Sequence, residues 1–189
     1  MLVEEKMKTN KFLVVVTEED FLDLKVKNVN FLFPILGYSV GFLKTFPITE
    51  VKVPHAYLYI NRILDHEGIE SLKKDLLLIN ENIEGICFTD LGVIQVVKDL
   101  GLSLQLFYMQ NHSTTNVESI NYYLEYVDSV LVSTDITKEE IHTILDKVNK
   151  PLLVPYFSLV DAMYSRRRLL SNFEEEFELE KKCEEILHE

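Results

Sequence analysis

The chain has 189 residues, a formal net charge of −12, and a composition that is 47% hydrophobic and 26% charged. This composition is that of a globular protein and excludes a disordered chain, and the length indicates one domain with at most a tail. The two cysteines, without a CxxC spacing, exclude a disulfide framework and a cysteine-rich zinc or iron–sulfur site within the chain, and they favour a reduced, cytoplasmic compartment.

The charge and the hydropathy pattern also exclude classes of partner. The longest nearly apolar stretch, 31–43, is interrupted by Pro34 and Gly37 and is shorter than the ~20 residues that a bilayer requires. Residues 174–189 hold eight glutamates and two lysines, which is half of the net charge. Because an acidic chain repels nucleic acid, we expect no nucleic-acid partner. Because the apolar stretch is too short to span a bilayer, we expect no membrane partner.

Seven short runs are rich in branched and aromatic residues and are nearly continuous rather than alternating. Continuous apolar runs are typical of strands buried on both faces, as in parallel sheets. The predicted strands are 12–16, 31–35, 56–60, 85–90, 104–108, 129–134 and 152–156.

Helical patterns lie between several of these strands. An apolar stripe at helical spacing predicts a helix over 69–79, and a second follows at 93–100. Thr137 and Glu140 form a predicted capping box for a third, which ends before Pro151. The pattern assigns no regular element to residues 36–54.

Alternating strands and helices predict an α/β fold with a parallel sheet. The spacing favours a TIM-like (β/α) barrel, but the chain is shorter than the ~250 residues of a typical eight-unit barrel. We therefore predict a short or incomplete barrel of seven strands over residues 1–160, followed by a C-terminal helical segment with an acidic tail over 161–189. The alternative is an open, doubly wound sheet.

Residues 110–116 are seven consecutive polar residues directly after the fifth strand. In a (β/α) barrel the carboxyl ends of the strands carry the site, and His112 can act as acid, base or ligand near neutral pH. The alternative is a polar loop in which Asn116 or Thr115 caps the next helix.

Polar residues at other strand ends are candidates for the same edge of the barrel. The candidates are Asn61, Arg62, Asp90, Thr134, Asp135 and Tyr156. For Asp90 and Asp135 the alternative is a helix cap. For His55, His66, His142 and His188 we expect surface or structural roles. Cys87 lies within a predicted buried strand, where cysteine is usually a small hydrophobe.

Three consecutive arginines, 166–168, stand out in an acidic chain. Arginine offers a planar fork for carboxylate or phosphate, but three helical neighbours span about 200° of arc and cannot all face one ligand. The alternative is a set of surface ion pairs with Glu174, Glu175 and Glu176.

Several segments together resemble the U32 peptidase (collagenase-like) family. These segments, in order, are GICFTD at 85–90, QNHSTTN at 110–116, NYY at 121–123, TDITKEEI at 134–141 and YSRRRLLSNF at 164–173. The last is similar to the family's Y-S-x-R-x-L-L-x-N-Y signature, in which Arg167 and Asn172 match. The similarity covers roughly residues 11–173 by its order and spacing.

The resemblance implies a TIM-like barrel with peptidase activity. Some relatives instead support hydroxylation of RNA or quinone precursors through a cysteine-bound iron–sulfur cluster. Here Phe157, Ser158 and Asp161 stand where the family often has a His-Gly pair and a cysteine. We therefore expect no cofactor and no metal.

These observations give one main hypothesis and two alternatives. The main one is a U32-type hydrolase that takes a peptide or a small anionic ligand. One alternative is a non-catalytic barrel that binds a ligand or partner, with a second copy or another chain completing it; the other is an accessory to RNA modification. The predicted catalytic residues are His112 and Asp90. The predicted substrate-binding residues are Gln110, Thr114, Thr115, Asn116, Tyr156, Arg167 and Asn172.

Overall fold

The computed structural model describes residues 12–16 and 29–155, and the structural statements below concern those residues. They contain one sheet of seven strands, close to the seven predicted runs. The strands are β1 (Phe12–Val15), β2 (Val29–Pro34), β3 (Ala56–Ile60), β4 (Ile83–Phe88), β5 (Gln105–Tyr108), β6 (Ser129–Leu131) and β7 (Leu152–Leu153).

The order of the strands in space is their order in the chain, and each strand pairs parallel to the next. A doubly wound sheet would instead reverse its order at a switch point, so that alternative is wrong. The sheet curls into a half-barrel, and the fold is a short, incomplete TIM-like barrel. The predicted fold class is confirmed.

Four α-helices in the described residues connect successive strands from β3 to β7. They are α1 (His66–Leu76), α2 (Gly92–Asp99), α3 (Val117–Tyr123) and α4 (Lys138–Lys147). Between β2 and β3 the chain forms one 3-10 turn, Ile48–Glu50, and no α-helix. The predicted boundary at residue 160 and the C-terminal helical segment lie outside the described residues and stay predictions. None of the described helices is both long and apolar enough to cross a bilayer.

The two faces of the sheet are packed differently. Residues such as Leu58 and Ile86 join the main core with the helices, whereas Tyr57 and Cys87 belong to a smaller cluster of strand residues on the opposite face. This double burial explains why the strands are continuously apolar in sequence. Cys87 is fully buried, and burial raises the pKa of its thiol well above the usual value. Cys87 is therefore a small hydrophobe rather than a nucleophile.

Gly85 lies at a point of close packing between β3, β4 and β5 in this smaller cluster. The register between β3 and β4 shifts near Ala56, so that Tyr57 lies opposite Gly85. The Tyr57 ring covers Gly85 and stacks on Phe107 of β5, with 5.2 Å between the ring centroids. The Tyr57 hydroxyl donates to Oε1 of Gln105 at 2.6 Å. Glycine is needed here because a side chain would occupy the space of the Tyr57 ring.

The predicted capping box of α4 is present. Glu140 N–H donates to Oγ1 of Thr137 at 3.3 Å, and Thr137 N–H donates to Oε2 of Glu140 at 2.7 Å. Thr137 thus satisfies one of the free amides at the start of the helix. The hydrogen bonds from the Thr137 backbone and hydroxyl lower the pKa of Glu140 from its ordinary value of 4.5.

This capping box makes helix stability depend on pH. A carboxyl whose pKa is lowered by folding stabilises the protein above its ordinary pKa, and this contribution is lost as the pH falls through the lowered value. We expect Glu140→Gln to lower the melting temperature at about pH 7 and to approach wild type as the pH falls through the lowered pKa of Glu140. Thr137→Ala should cost about 1 kcal/mol at neutral pH. Glu139→Gln, in the same helical turn, is the control, and an equal pH-dependent effect in that variant would contradict the assignment.

Candidate functional site

The carboxyl ends of parallel strands lie at one edge of the sheet, where (β/α) barrels bind ligands. We call the segments that follow β2 to β6 at this edge the rim. The polar segment 110–116 follows β5, and residues 132–137 follow the neighbouring strand β6. The prediction that residues 110–116 sit at a strand end is confirmed by these bounds.

The rim brings His112 against Asp135. Nδ1 of His112 lies 2.9 Å from Oδ2 of Asp135, and the two side chains are 66% and 50% exposed. A carboxylate only accepts hydrogen bonds, so it selects the imidazole form with the proton on Nδ1. The other ring nitrogen, Nε2, then has a lone pair available for proton transfer.

A second pair of side chains fastens the two loops together. The Asn111 amide donates from Nδ2 to Oγ1 of Thr134 at 2.8 Å, and Thr134 N–H donates to Oδ1 of Asn111 at 2.9 Å. These bonds lie one residue before His112 and Asp135 in their respective loops. They therefore set the separation of the His112–Asp135 pair, which a surface ion pair alone would hold weakly.

Other side chains of the polar segment make hydrogen bonds within the protein that stabilise the loop and the next helix. Thr114 is fully buried, its hydroxyl donates to the Gln110 carbonyl at 3.0 Å, and its carbonyl accepts from Ser133 N–H at 3.2 Å. Oδ1 of Asn116 accepts from Ser119 N–H at 2.9 Å and caps α3, which is the helix-cap alternative for Asn116. Thr115 is partly exposed. The substrate contacts of these residues stay predictions.

Tyr108 at the end of β5 forms the apolar support under this segment. Its ring packs on Tyr123 of α3 with 4.5 Å between centroids. Burial, and then the neighbouring Tyr123, raise the pKa of Tyr108 to about 12. The phenol is therefore neutral over the physiological range and brings no charge beneath the rim.

Asp90 links two loops of the rim through backbone amides. Its Oδ2 accepts from Leu64 N–H at 2.7 Å, and its Oδ1 accepts from Gly92 N–H at 2.8 Å at the start of α2. Both carboxylate oxygens are thus engaged in structure. Among the described residues no hydrogen bond joins Asp90 to His112, and the catalytic role of Asp90 stays a prediction.

We expect Asp90→Asn to destabilise the protein by about 2 kcal/mol. The amide keeps one acceptor oxygen but turns its NH₂ group toward a backbone donor, which leaves a half-buried N–H unsatisfied. Chemical denaturation measures the effect. Asp99→Asn, at the exposed end of α2, is the matched control and should stay within about 0.5 kcal/mol of wild type. A variant as stable as this control would contradict the structural role of Asp90.

Three predicted site residues, Tyr156, Arg167 and Asn172, lie outside the described residues. Their substrate contacts therefore stay predictions. Within residues 12–16 and 29–155, no three histidine, cysteine, aspartate or glutamate side chains are arranged to hold a metal ion.

The contact of His112 with Asp135 is one that sequence reasoning did not assign. Asp135 was a rim candidate with a helix cap as its alternative, but Thr137 caps α4. The signal was available in the spacing, because a capping box at Thr137 and Glu140 leaves Asp135 without a capping role. Asp135 and His112 then follow adjacent parallel strands.

Comparison with known protein families identifies the family of this chain. The model of Peptidase family U32 matches residues 47–184, well over half of the chain. The chain therefore belongs to the U32 peptidase family, and the resemblance found in the sequence is confirmed. No curated protein and no solved structure matches the chain.

Proposed function

We propose that this protein is a U32-type hydrolase that acts on peptides at the rim, with His112 as the acid–base group and Asp135 as its positioning residue. The observation that carries the proposal is the 2.9 Å contact between Nδ1 of His112 and Oδ2 of Asp135. It lies at adjacent strand ends, where barrels of this kind carry their sites.

The chemistry follows from the free ring nitrogen. Nε2 of His112 takes a proton from a water molecule as the water oxygen attacks the peptide carbonyl carbon. The resulting imidazolium is stabilised by the Asp135 carboxylate. When the C–N bond breaks, His112 returns the proton to the leaving nitrogen, so the products are a carboxylic acid and an amine and the enzyme is regenerated.

An iron–sulfur cluster, which the family resemblance raised, does not fit this chain. Clusters are held by four ligands that are mostly cysteine thiolates, whereas the chain has two cysteines and Cys87 is buried within β4. The unpaired, buried thiol of Cys87 supports the predicted reducing, cytoplasmic location.

Steady-state hydrolysis of a mixture of fluorescence-quenched peptides tests the proposal. We expect Asp135→Asn to lower kcat about tenfold with KM unchanged, because it leaves binding groups in place and removes the orienting carboxylate. Because the pair is exposed and solvent screens its charges, the loss of kcat should be smaller than that for a buried carboxylate.

Two further variants separate orientation from general damage. Asp135→Glu should restore most of kcat, since a carboxylate returns, and Glu118→Gln removes an exposed charge on α3 as a control. Wild-type kcat in Asp135→Asn would overturn the assignment of Asp135.

The open sheet favours a second candidate function, a non-catalytic module completed by a partner. Among the described residues, β1 pairs only with β2 and β7 pairs only with β6, so the half-barrel has two edges that another chain could extend. This candidate predicts peptide binding without turnover in the same assay. Turnover that depends on His112 would exclude it.

A further inference from the structure

The loop formed by residues 36–46, which we call the β2–β3 loop, carries exposed apolar side chains at the rim. Leu43 is 93% exposed and Leu36 is 58% exposed. The loop follows the carboxyl end of β2 and therefore lies at the same edge of the sheet as His112. Isolated surface leucines are ordinary, so the environment of these two decides whether they matter.

The β2–β3 loop is fastened at its base and along its length. At the base, Leu36 N–H donates to the Phe46 carbonyl at 2.9 Å. In the middle, Asn61 holds both backbone groups of Val40, because its Oδ1 accepts from Val40 N–H at 2.8 Å and its Nδ2 donates to the Val40 carbonyl at 3.0 Å. The loop thus presents its leucines from a hydrogen-bonded frame.

A cation lies beside the apolar surface of the loop. Arg62 is exposed, its backbone N–H donates to the Tyr38 carbonyl at 3.1 Å, and its guanidinium donates to the Gly37 carbonyl at 3.3 Å. Arg62 therefore lies against Gly37, the residue that follows Leu36 in the chain. The guanidinium has five N–H donors, of which this bond uses one, and its fork matches a carboxylate. An arginine close to an exposed leucine complements an anionic group that carries an apolar side chain.

We propose that the β2–β3 loop binds the carboxyl-terminal residue of the peptide substrate. Arg62 pairs with the terminal carboxylate, Leu36 and Leu43 contact an apolar terminal side chain, and Asn61 is the positioning residue that fixes the loop. This inference rests on the proposed hydrolase function and names its substrate class, which is peptides with a free, apolar carboxyl-terminal residue.

The strand spacing sets where such a peptide would be cut. Arg62 follows β3 and His112 follows β5, two strands away. Adjacent strands are about 4.8 Å apart and an extended peptide advances about 3.3 Å per residue. A peptide held at Arg62 therefore reaches His112 after about three residues, and hydrolysis would release short carboxyl-terminal fragments.

Four fluorescein-labelled hexapeptides of otherwise identical sequence test the recognition directly. They end in leucine or serine, each as the free acid or as the amide, and fluorescence anisotropy measures their dissociation constants. We expect the leucine free acid to bind wild type about tenfold more tightly than its amide, because the amide loses a charge-assisted bidentate pair. It should also bind about fivefold more tightly than the serine free acid. Equal affinities for all four peptides would overturn the inference.

Variants assign each preference to its residue. Arg62→Ala should make acid and amide bind equally, and Arg62→Lys should restore only part of the difference because lysine lacks the fork. Leu43→Ser should reduce the preference for leucine over serine, since Leu36 remains. Leu78→Ser is the matched control, since Leu78 is 59% exposed and lies just after α1. Melting temperatures identify any variant that has lost its fold, and Asn61→Asp provides a second perturbation of the loop without changing Arg62 or Leu43.

Failure of the inference is distinguishable from failure of the proposed function. Turnover that requires His112 without any terminal preference would leave the hydrolase and remove the β2–β3 loop as its recognition element. Terminal preferences with turnover unaffected by His112→Ala would leave the β2–β3 loop as a recognition element and remove His112 as the acid–base group. Sedimentation with phosphatidylcholine vesicles that is lost in Leu43→Ser, without a peptide preference, would show that the leucines contact lipid and would also overturn the inference.

Discussion

Replacing His112 with alanine is expected to lower kcat for peptide hydrolysis about a hundredfold, with little change in KM. Positioned acid–base groups contribute factors of about 10²–10⁴, and the lower end suits a pair whose side chains are 66% and 50% exposed. Substrate binding is assigned to other parts of the rim, so the loss should fall on the chemical step. The measurement is steady-state kinetics on the same quenched peptide mixture.

The fold should survive this substitution. The side chain of His112 is mostly in solvent and its Nδ1 bonds to Asp135, and an exposed pair of this kind contributes at most about 1 kcal/mol. His66→Ala is the matched control, because His66 is an exposed histidine at the start of α1. Wild-type kcat in His112→Ala would remove His112 from the mechanism, and an equal loss in His66→Ala would show that the effect is not specific to the rim.

Replacing Gly85 with alanine is expected to destabilise the protein by about 3 kcal/mol, at the upper end of the usual cost of overpacking a core. A Cβ at this position would lie 2.5 Å from the Gln105 carbonyl oxygen and 2.7 Å from Cε1 of Tyr57. The carbonyl belongs to the neighbouring strand and the ring stacks on Phe107, so neither atom can retreat cheaply. Chemical denaturation of wild type and variant measures the loss.

Gly68→Ala in α1 is the control for this prediction. The nearest atom to its added Cβ is Oδ1 of Asp65, the N-cap of α1, at 3.2 Å, which is farther than either contact of Gly85. Alanine also favours the helix by up to about 1 kcal/mol relative to glycine, so we expect a small change of either sign. A stability loss in Gly85→Ala no larger than this change would contradict the close packing of β3, β4 and β5 at Gly85.

The fold was predictable because its elements depend on local signals. Continuous apolar runs identified the parallel strands, and Thr137 and Glu140 identified the start of α4 from their spacing alone. The alternation of strands and helices then left two topologies. The strand order, which depends on long-range pairing, decided between them.

The site was predictable only in part, because its contacts join residues from different loops. Position placed His112 at the rim, but its contact with Asp135 could be inferred only indirectly, from the capping box at Thr137 and Glu140 and from the adjacency of β5 and β6. Asp90 is a carboxylate at a strand end, as a catalytic residue would be, yet backbone amides occupy both of its oxygens. Asn61 was also a rim candidate. Its side-chain amide hydrogen-bonds to both the N–H and the carbonyl of Val40, as a neighbouring strand would. The hydrogen-bond partners of such side chains depend on which backbone groups lie close to them in the folded chain.

The closure of the β2–β3 loop has a consequence for engineering. Ile35 and Phe46 form an isolated parallel bridge at its base, and the buried Phe46 ring packs edge-on against Phe33 of β2. The ends of the loop are thus joined independently of what lies between them, and the entropy of closing a longer insert rises only slowly with its length. Tyr38 belongs to the core and donates to Asp75, and Val40 is held by Asn61. New recognition sequences should therefore be inserted at residues 41–45, where the half-barrel and the His112–Asp135 pair keep their geometry.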